Sequence, residues 1–184
     1  ETELLVRALK DEVDRQVRIG WEGAFVRAEQ ILAIGLARTD LAIQALGTMC
    51  KGDALKLVMG RLEEAWTLLG EAGDLYLSAP LSSQERDIGW ARTRVGRLYL
   101  CVELGRSAEG YQDAGIAQAI FEQYALWDRF ISLSLAWGSA LINEYRYRDA
   151  ITLLMRTRDL ASQYPEVGHP FLSTIYNNLA VAAR

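Results

Sequence analysis

The sequence predicts an all-α chain built from stacked antiparallel helical hairpins, and three observations lead to that class. Apolar residues recur at three- and four-residue steps, as in Leu62, Ala65, Trp66, Leu69, Ala72 and Tyr76, and strand-like alternation is nowhere sustained. Four small residues, Ala24, Ala65, Ala108 and Ala150, stand 41, 43 and 42 residues apart. Residues 62–80 match residues 147–165 without a gap at seven of nineteen positions, an offset of 85 or two such periods. The matches pair Ala65 with Ala150, Thr67-Leu68-Leu69 with Thr152-Leu153-Leu154, Asp74-Leu75 with Asp159-Leu160, and Pro80 with Pro165.

In chain order the periodicity places helices at about 2–18, 21–36, 40–58, 61–77, 84–103, 106–124, 127–144, 147–163 and 171–184. Grouped by the period, they form one domain over 1–184, with repeats at about 2–38, 39–82, 83–125 and 126–168 and a partial one at 169–184. Pro80 and Pro165 fall where a helix must end before the next repeat begins. Ser82 and Glu85 have capping-box spacing for the start of the fifth helix. Pro170 suits the first turn of the last helix, where its missing N–H costs nothing. Gly96 and Gly138, 42 residues apart, recur inside the first helices of their hairpins and mark the helix phase that turns Trp90, Arg94 and Arg97 to one side. Each glycine gives up about 1 kcal/mol of helix propensity, which points to close helix packing. Ala108 and Ala150 are expected to be buried where helices meet. A hairpin of this length cannot bury its apolar face alone, so stacking on the next one supplies the core.

The stretch Ile131-Ser-Leu-Ser-Leu-Ala-Trp137-Gly138 through Tyr147-Arg-Asp-Ala150-Ile151, with Leu141 and Pro165, resembles a tetratricopeptide repeat. Val95-Gly96 with Tyr99 and Ala108 gives a second match, Leu62 with Ala65 a partial one, and Asn178-Leu179-Ala180 the start of another. The period departs from the family's usual length of about 34 residues. Longer repeats of this kind resemble arrays attached to bacterial signalling ATPases, their transcription activators and CHAT proteases. Glu85-Arg-Asp-Ile-Gly-Trp-Ala-Arg-Thr-Arg-Val-Gly-Arg97 has that character. None of those proteins' nucleotide-binding, DNA-binding or protease motifs is present, so the resemblance implies the scaffold alone. That scaffold is a right-handed superhelical stack, an α-solenoid whose concave face is made mainly by the first helix of each hairpin.

Composition agrees with a folded chain: 51% hydrophobic, net charge −4 over 184 residues. Its apolar runs are far short of the roughly 20 residues of a membrane span, and no signal sequence is expected. The absence of a first methionine, and a helical pattern still running at Arg184, suggest a piece of a larger protein. Cys50 and Cys101 sit in apolar helical pattern and read as buried thiols, which favours a reducing, cytoplasmic setting. His169, the single histidine, lies between Gly168 and Pro170 with no partner set for catalysis or metal binding. Glu63-Glu64 and Asp11-Glu12 read as solvated helix faces. The H-E-x-x-H, C-x-x-C, G-x-G-x-x-G and P-loop patterns are missing, so no catalytic, cofactor or metal residues are expected.

A binding surface is therefore the expected equipment. Trp66 and Trp137 read first as core, whereas the family phase turns Trp90 toward the concave side. Arg86, Arg92, Arg94, Arg97 and Arg106 outnumber Asp87 and Glu103 in an acidic chain. Arg94 and Arg97 share a helix face, and Asn143, Asn177 and Asn178 stand at corresponding places in later helices. The candidate partner-binding residues are thus Trp90, Arg94, Arg97, Asn143, Asn177 and Asn178. The function expected is a scaffold that binds a peptide, a helix or an adjacent domain of the same chain. Nucleic-acid contact through the arginine-rich third repeat is the alternative.

Overall fold

The computed structural model describes residues 1–184, Glu1–Arg184, and is helical throughout, without strands. The helices are α1 (Thr2–Arg18), α2 (Gly23–Ala37), α3 (Leu41–Ala54), α4 (Leu62–Ser78), α5 (Ser83–Cys101), α6 (Ser107–Gln123), α7 (Trp127–Asn143), α8 (Tyr147–Gln163), α9 (Pro165–Gly168) and α10 (Leu172–Ala182). A π-helical turn, Leu55–Met59, extends α3, and a 3-10 turn, His169–Phe171, leads into α10. Pro170 belongs to that 3-10 turn, just ahead of the last helix rather than inside it. No helix is long and apolar enough to cross a membrane. The chain divides into two compact units, Glu1–Leu100 and Cys101–Arg184.

The short connections are closed by one repeated device. Gly20, Thr39, Gly105, Ala125 and Tyr145 each take a left-handed backbone conformation just past a helix. The next residue's N–H then reaches back five residues: Trp21 to Gln16, Asp40 to Gly35, Arg106 to Cys101, Leu126 to Phe121 and Arg146 to Leu141. This is the Schellman arrangement, which satisfies carbonyls left over at a helix end and turns the chain tightly. Ahead of α5 the connection is extended instead. There the capping box forms in full: Ser82 N–H and Oγ–H both donate to the Glu85 carboxylate, at 3.0 and 2.6 Å, and Glu85 N–H donates to Ser82 Oγ at 3.2 Å.

In the first unit α1 packs on α2 and α3, α2 on α3, and α3 on α4. The core is Val6, Val13, Ala28, Ile31 and Cys50, with Leu9, Val17, Ile34, Ile43 and Leu46 around it. α2 and α3 touch backbone to backbone, since a methyl on Gly47 would lie 2.5 Å from Leu32 N. α5 rests on α4 through Gly89 against Tyr76 and Gly96 against Leu69. In the second unit α6 packs on α7, α7 on α8, and α10 on both α7 and α8. Its core is Ile131, Leu135, Leu154, Ala161 and Ile175.

The small-residue series needs one correction. Ala24, Ala65 and Ala150 are fully buried, but Ala108 is exposed. Gly110 takes its place, buried directly against the Cys101 side chain. Ala65, Gly110 and Ala150 are each the fourth residue of their helix, and each donates its N–H at 3.0 Å to the carbonyl of the arginine just before it, Arg61, Arg106 or Arg146. The spacings thus become 41, 45 and 40. The long interval contains the extended connection Ala79–Ser82, and the 41-residue interval contains the π turn.

Candidate functional site

Three of the six sequence-derived candidates lie in the first unit, on α5. Arg94 and Arg97 are buried, at 6% and 8% exposure, and Trp90 is half-buried. The Arg97 guanidinium lies 3.8 Å over the ring of buried Trp66 on α4, and that of Arg94 lies 4.5 Å over Trp90. Gly73 of α4 leaves room for Arg94, because a methyl there would stand 2.9 Å from Arg94 Nη2. These arginines therefore lie in the packing layer between α4 and α5, where cation–π stacking stands in for part of the lost hydration. They do not line an open face. The other three candidates lie in the second unit: Asn143 and Asn177 are exposed, and half-buried Asn178 donates from Nδ2 to Ser139 Oγ at 3.2 Å.

The open face of the first unit belongs to alternate helices. α1, α3 and α5 together line a cleft of about 380 Å³. Its apolar floor is Val6 from α1 with Ile43 and Leu46 from α3. Around it stand Glu3, Arg7, Lys10 and Asp14 from α1, and Arg92 from α5. Arg92 lies two residues from both Trp90 and Arg94, which on a helix is more than half a turn away. That offset explains why the candidates face inward while Arg92 faces out.

The cleft's charges are unequally engaged. Lys10 Nζ holds Asp14 at 2.5 Å, and its side chain is mostly buried. Arg7 and Arg92 form neither ion pair nor hydrogen bond. Buried Cys50 lies near the floor, its thiol pushed up to about 12 chiefly by burial, with Lys10 and Arg92 opposing. It is a protonated packing group, not a nucleophile.

A second cleft of the same unit, about 520 Å³, is lined by Phe25, Leu55, Thr67 and Leu68 with Lys51, Arg61, Glu63 and Glu64. Its cations are already in use. Lys51 pairs with Glu29 at 3.3 Å and sits 5.0 Å over the Phe25 ring, while Arg61 is forked onto Glu64.

In the second unit Glu144 stands at the end of α7. It accepts hydrogen bonds from the Ser107 hydroxyl and, at 2.7 Å, from Tyr111 OH, which together hold it below the usual carboxylate range. Tyr111 in turn stacks on Trp137 with ring centres 5.9 Å apart. These bonds tie α6 to the end of α7, a structural arrangement. His169 is exposed in its 3-10 turn. No group of three or more His, Cys, Asp or Glu side chains is placed to hold a metal ion.

Sequence reasoning missed Arg7, Lys10 and Arg92 as a set. They come from two helices far apart in sequence, and only the packing of α1 and α5 against α3 brings them to one cleft. No protein-family model, no curated protein and no solved structure matches this chain.

Proposed function

We propose that the chain is a tetratricopeptide-like scaffold whose hairpins stack in one direction, and that it binds a protein segment on the face made by the first helix of each hairpin. The observation that carries this reading is the cleft shared by α1, α3 and α5, every second helix of the first unit. The other cleft is lined by α2 and α4 together with Lys51 of α3 and Leu55 of its π turn, so it draws on consecutive helices instead. A face built from alternate helices is what a stack of hairpins presents as its extended groove. An apolar floor of Val6, Ile43 and Leu46 with a polar rim has the anatomy of a protein-recognition surface, and the reading requires no catalytic group.

Photo-crosslinking tests it. A photoreactive amino acid is placed at Leu46 in the groove or, as control, at Leu68 in the opposite cleft. The groove position is expected to form discrete polypeptide adducts in cells that express the protein, and the control position is not. Adducts from Leu68 alone, or adducts with nucleic acid from Leu46, overturn the proposal.

A further inference from the structure

We infer that the segment received by this groove is acidic and amphipathic, with carboxylates meeting Arg7 and Arg92 and apolar side chains seated on Ile43 and Leu46. The inference rests on the scaffold reading above and adds the chemistry of the partner.

Charge complementarity carries it. The groove holds Arg7, Lys10 and Arg92 against Glu3 and Asp14, a positive excess in a chain whose net charge is −4. Lys10 and Asp14 satisfy each other at 2.5 Å, so neither needs a partner. Arg7 and Arg92 are the two cations of the cleft left without an ion pair, whereas Lys51 and Arg61 of the opposite cleft are both paired. Arginine's planar fork holds a carboxylate through two parallel hydrogen bonds, and its stem packs on apolar surface. Arg7 comes from α1 and Arg92 from α5, with the apolar residues of α3 in the same cleft. A partner with acidic and apolar residues on one face satisfies both features at once. A phosphate backbone would leave the apolar floor of Val6, Ile43 and Leu46 uncovered.

Glu3 supplies an independent sign. It is an exposed carboxylate lining the groove, and it repels an acidic partner without touching the core.

The test is a calorimetric titration of the full chain with a synthetic helix-forming peptide that carries leucines at three- and four-residue steps and glutamates between them. A lysine-for-glutamate version and a single-stranded oligonucleotide serve as comparison ligands. Circular dichroism first establishes that each variant is folded. The acidic peptide is expected to bind, Arg7→Gln with Arg92→Gln to weaken it by about tenfold or more, and Glu3→Gln to tighten it. The inference is overturned if the acidic peptide does not bind, if the double arginine variant binds as tightly as the parent, or if the lysine peptide or the oligonucleotide binds as well. Ile43→Asn separates the two readings. Weakening by Ile43→Asn without weakening by the arginine changes keeps the groove and removes the acidic partner, and weakening by neither removes both.

Discussion

Gly138 stands so close to Leu154 that a methyl on its Cα would lie 2.8 Å from Leu154 Cδ2, and Leu154 is fully buried. The same relationship recurs two periods earlier, where a methyl on Gly52 would lie 2.9 Å from Leu69 Cγ. In both cases the glycine is on the first helix of a hairpin and the leucine on its second. Gly138→Ala is therefore expected to destabilise by about 1–3 kcal/mol through overpacking, despite alanine's better helix propensity. Gly70→Ala, on α4 with nothing within 4 Å of the added methyl, is expected to stabilise by up to about 1 kcal/mol. Urea denaturation of the two variants beside the parent checks the opposite signs.

Ala150 and Ala108 make a second contrast. Ala150 is fully buried and Ala108 exposed, so Ala150→Leu is expected to cost about 1–3 kcal/mol and Ala108→Leu to change stability by less than about 0.5 kcal/mol. Equal melting temperatures for the two leucine variants would contradict the register of α6 and α8.

Ala125 closes α6 at φ +52°, where sister connections use Gly20 and Gly105 at φ +68° and +66°. It is exposed, so its side chain gives no packing in return. Ala125→Gly relieves left-handed strain of roughly 1 kcal/mol, part of which is offset by the greater freedom of glycine in the unfolded chain. A small rise in the thermal midpoint is expected; a fall would contradict the turn geometry.

Glu144 predicts an acid limb of stability. Hydrogen bonds from Ser107 and then Tyr111 hold its carboxyl below the ordinary range. A depressed folded value means that the contribution is present above the unfolded carboxylate pKa of about 4.3 and is lost as pH falls through the folded value. The parent's urea midpoint should therefore fall more steeply below about pH 4.3 than that of Glu144→Gln. Near neutral pH the substitution is expected to cost about 0.5–1 kcal/mol, the low end because Glu144 is only partly buried.

Much of the fold was legible because helix periodicity and turn residues are local signals. The capping box of Ser82 and Glu85 and the burial of Ala65, Trp66, Leu69, Ala72 and Tyr76 follow from spacing alone. The groove was not legible, and the reason lies in one glycine. The offset of 42 pairs Gly96 with Gly138, but Gly96 packs on Leu69 of the preceding hairpin, whereas Gly138 packs on Leu154 of its own. The positional counterpart of Gly138 is Gly52. Gly96 as the phase marker turns Trp90, Arg94 and Arg97 toward the groove, whereas Arg94 and Arg97 pack on the α4 side and Arg92 is the residue that faces out. Helix phase across a stack depends on which neighbour each small residue touches, and that contact is long-range.

The most direct measurement is hydrogen exchange on the whole chain with and without the polypeptide recovered by crosslinking from Leu46. Binding on the groove predicts added protection in the segments bearing Val6 to Asp14, Ile43 to Leu46 and Arg92, with Phe25 and Thr67-Leu68 unchanged. Protection confined to α2 and α4, with the α1, α3 and α5 segments exchanging as in the free chain, would contradict the assignment of the binding face.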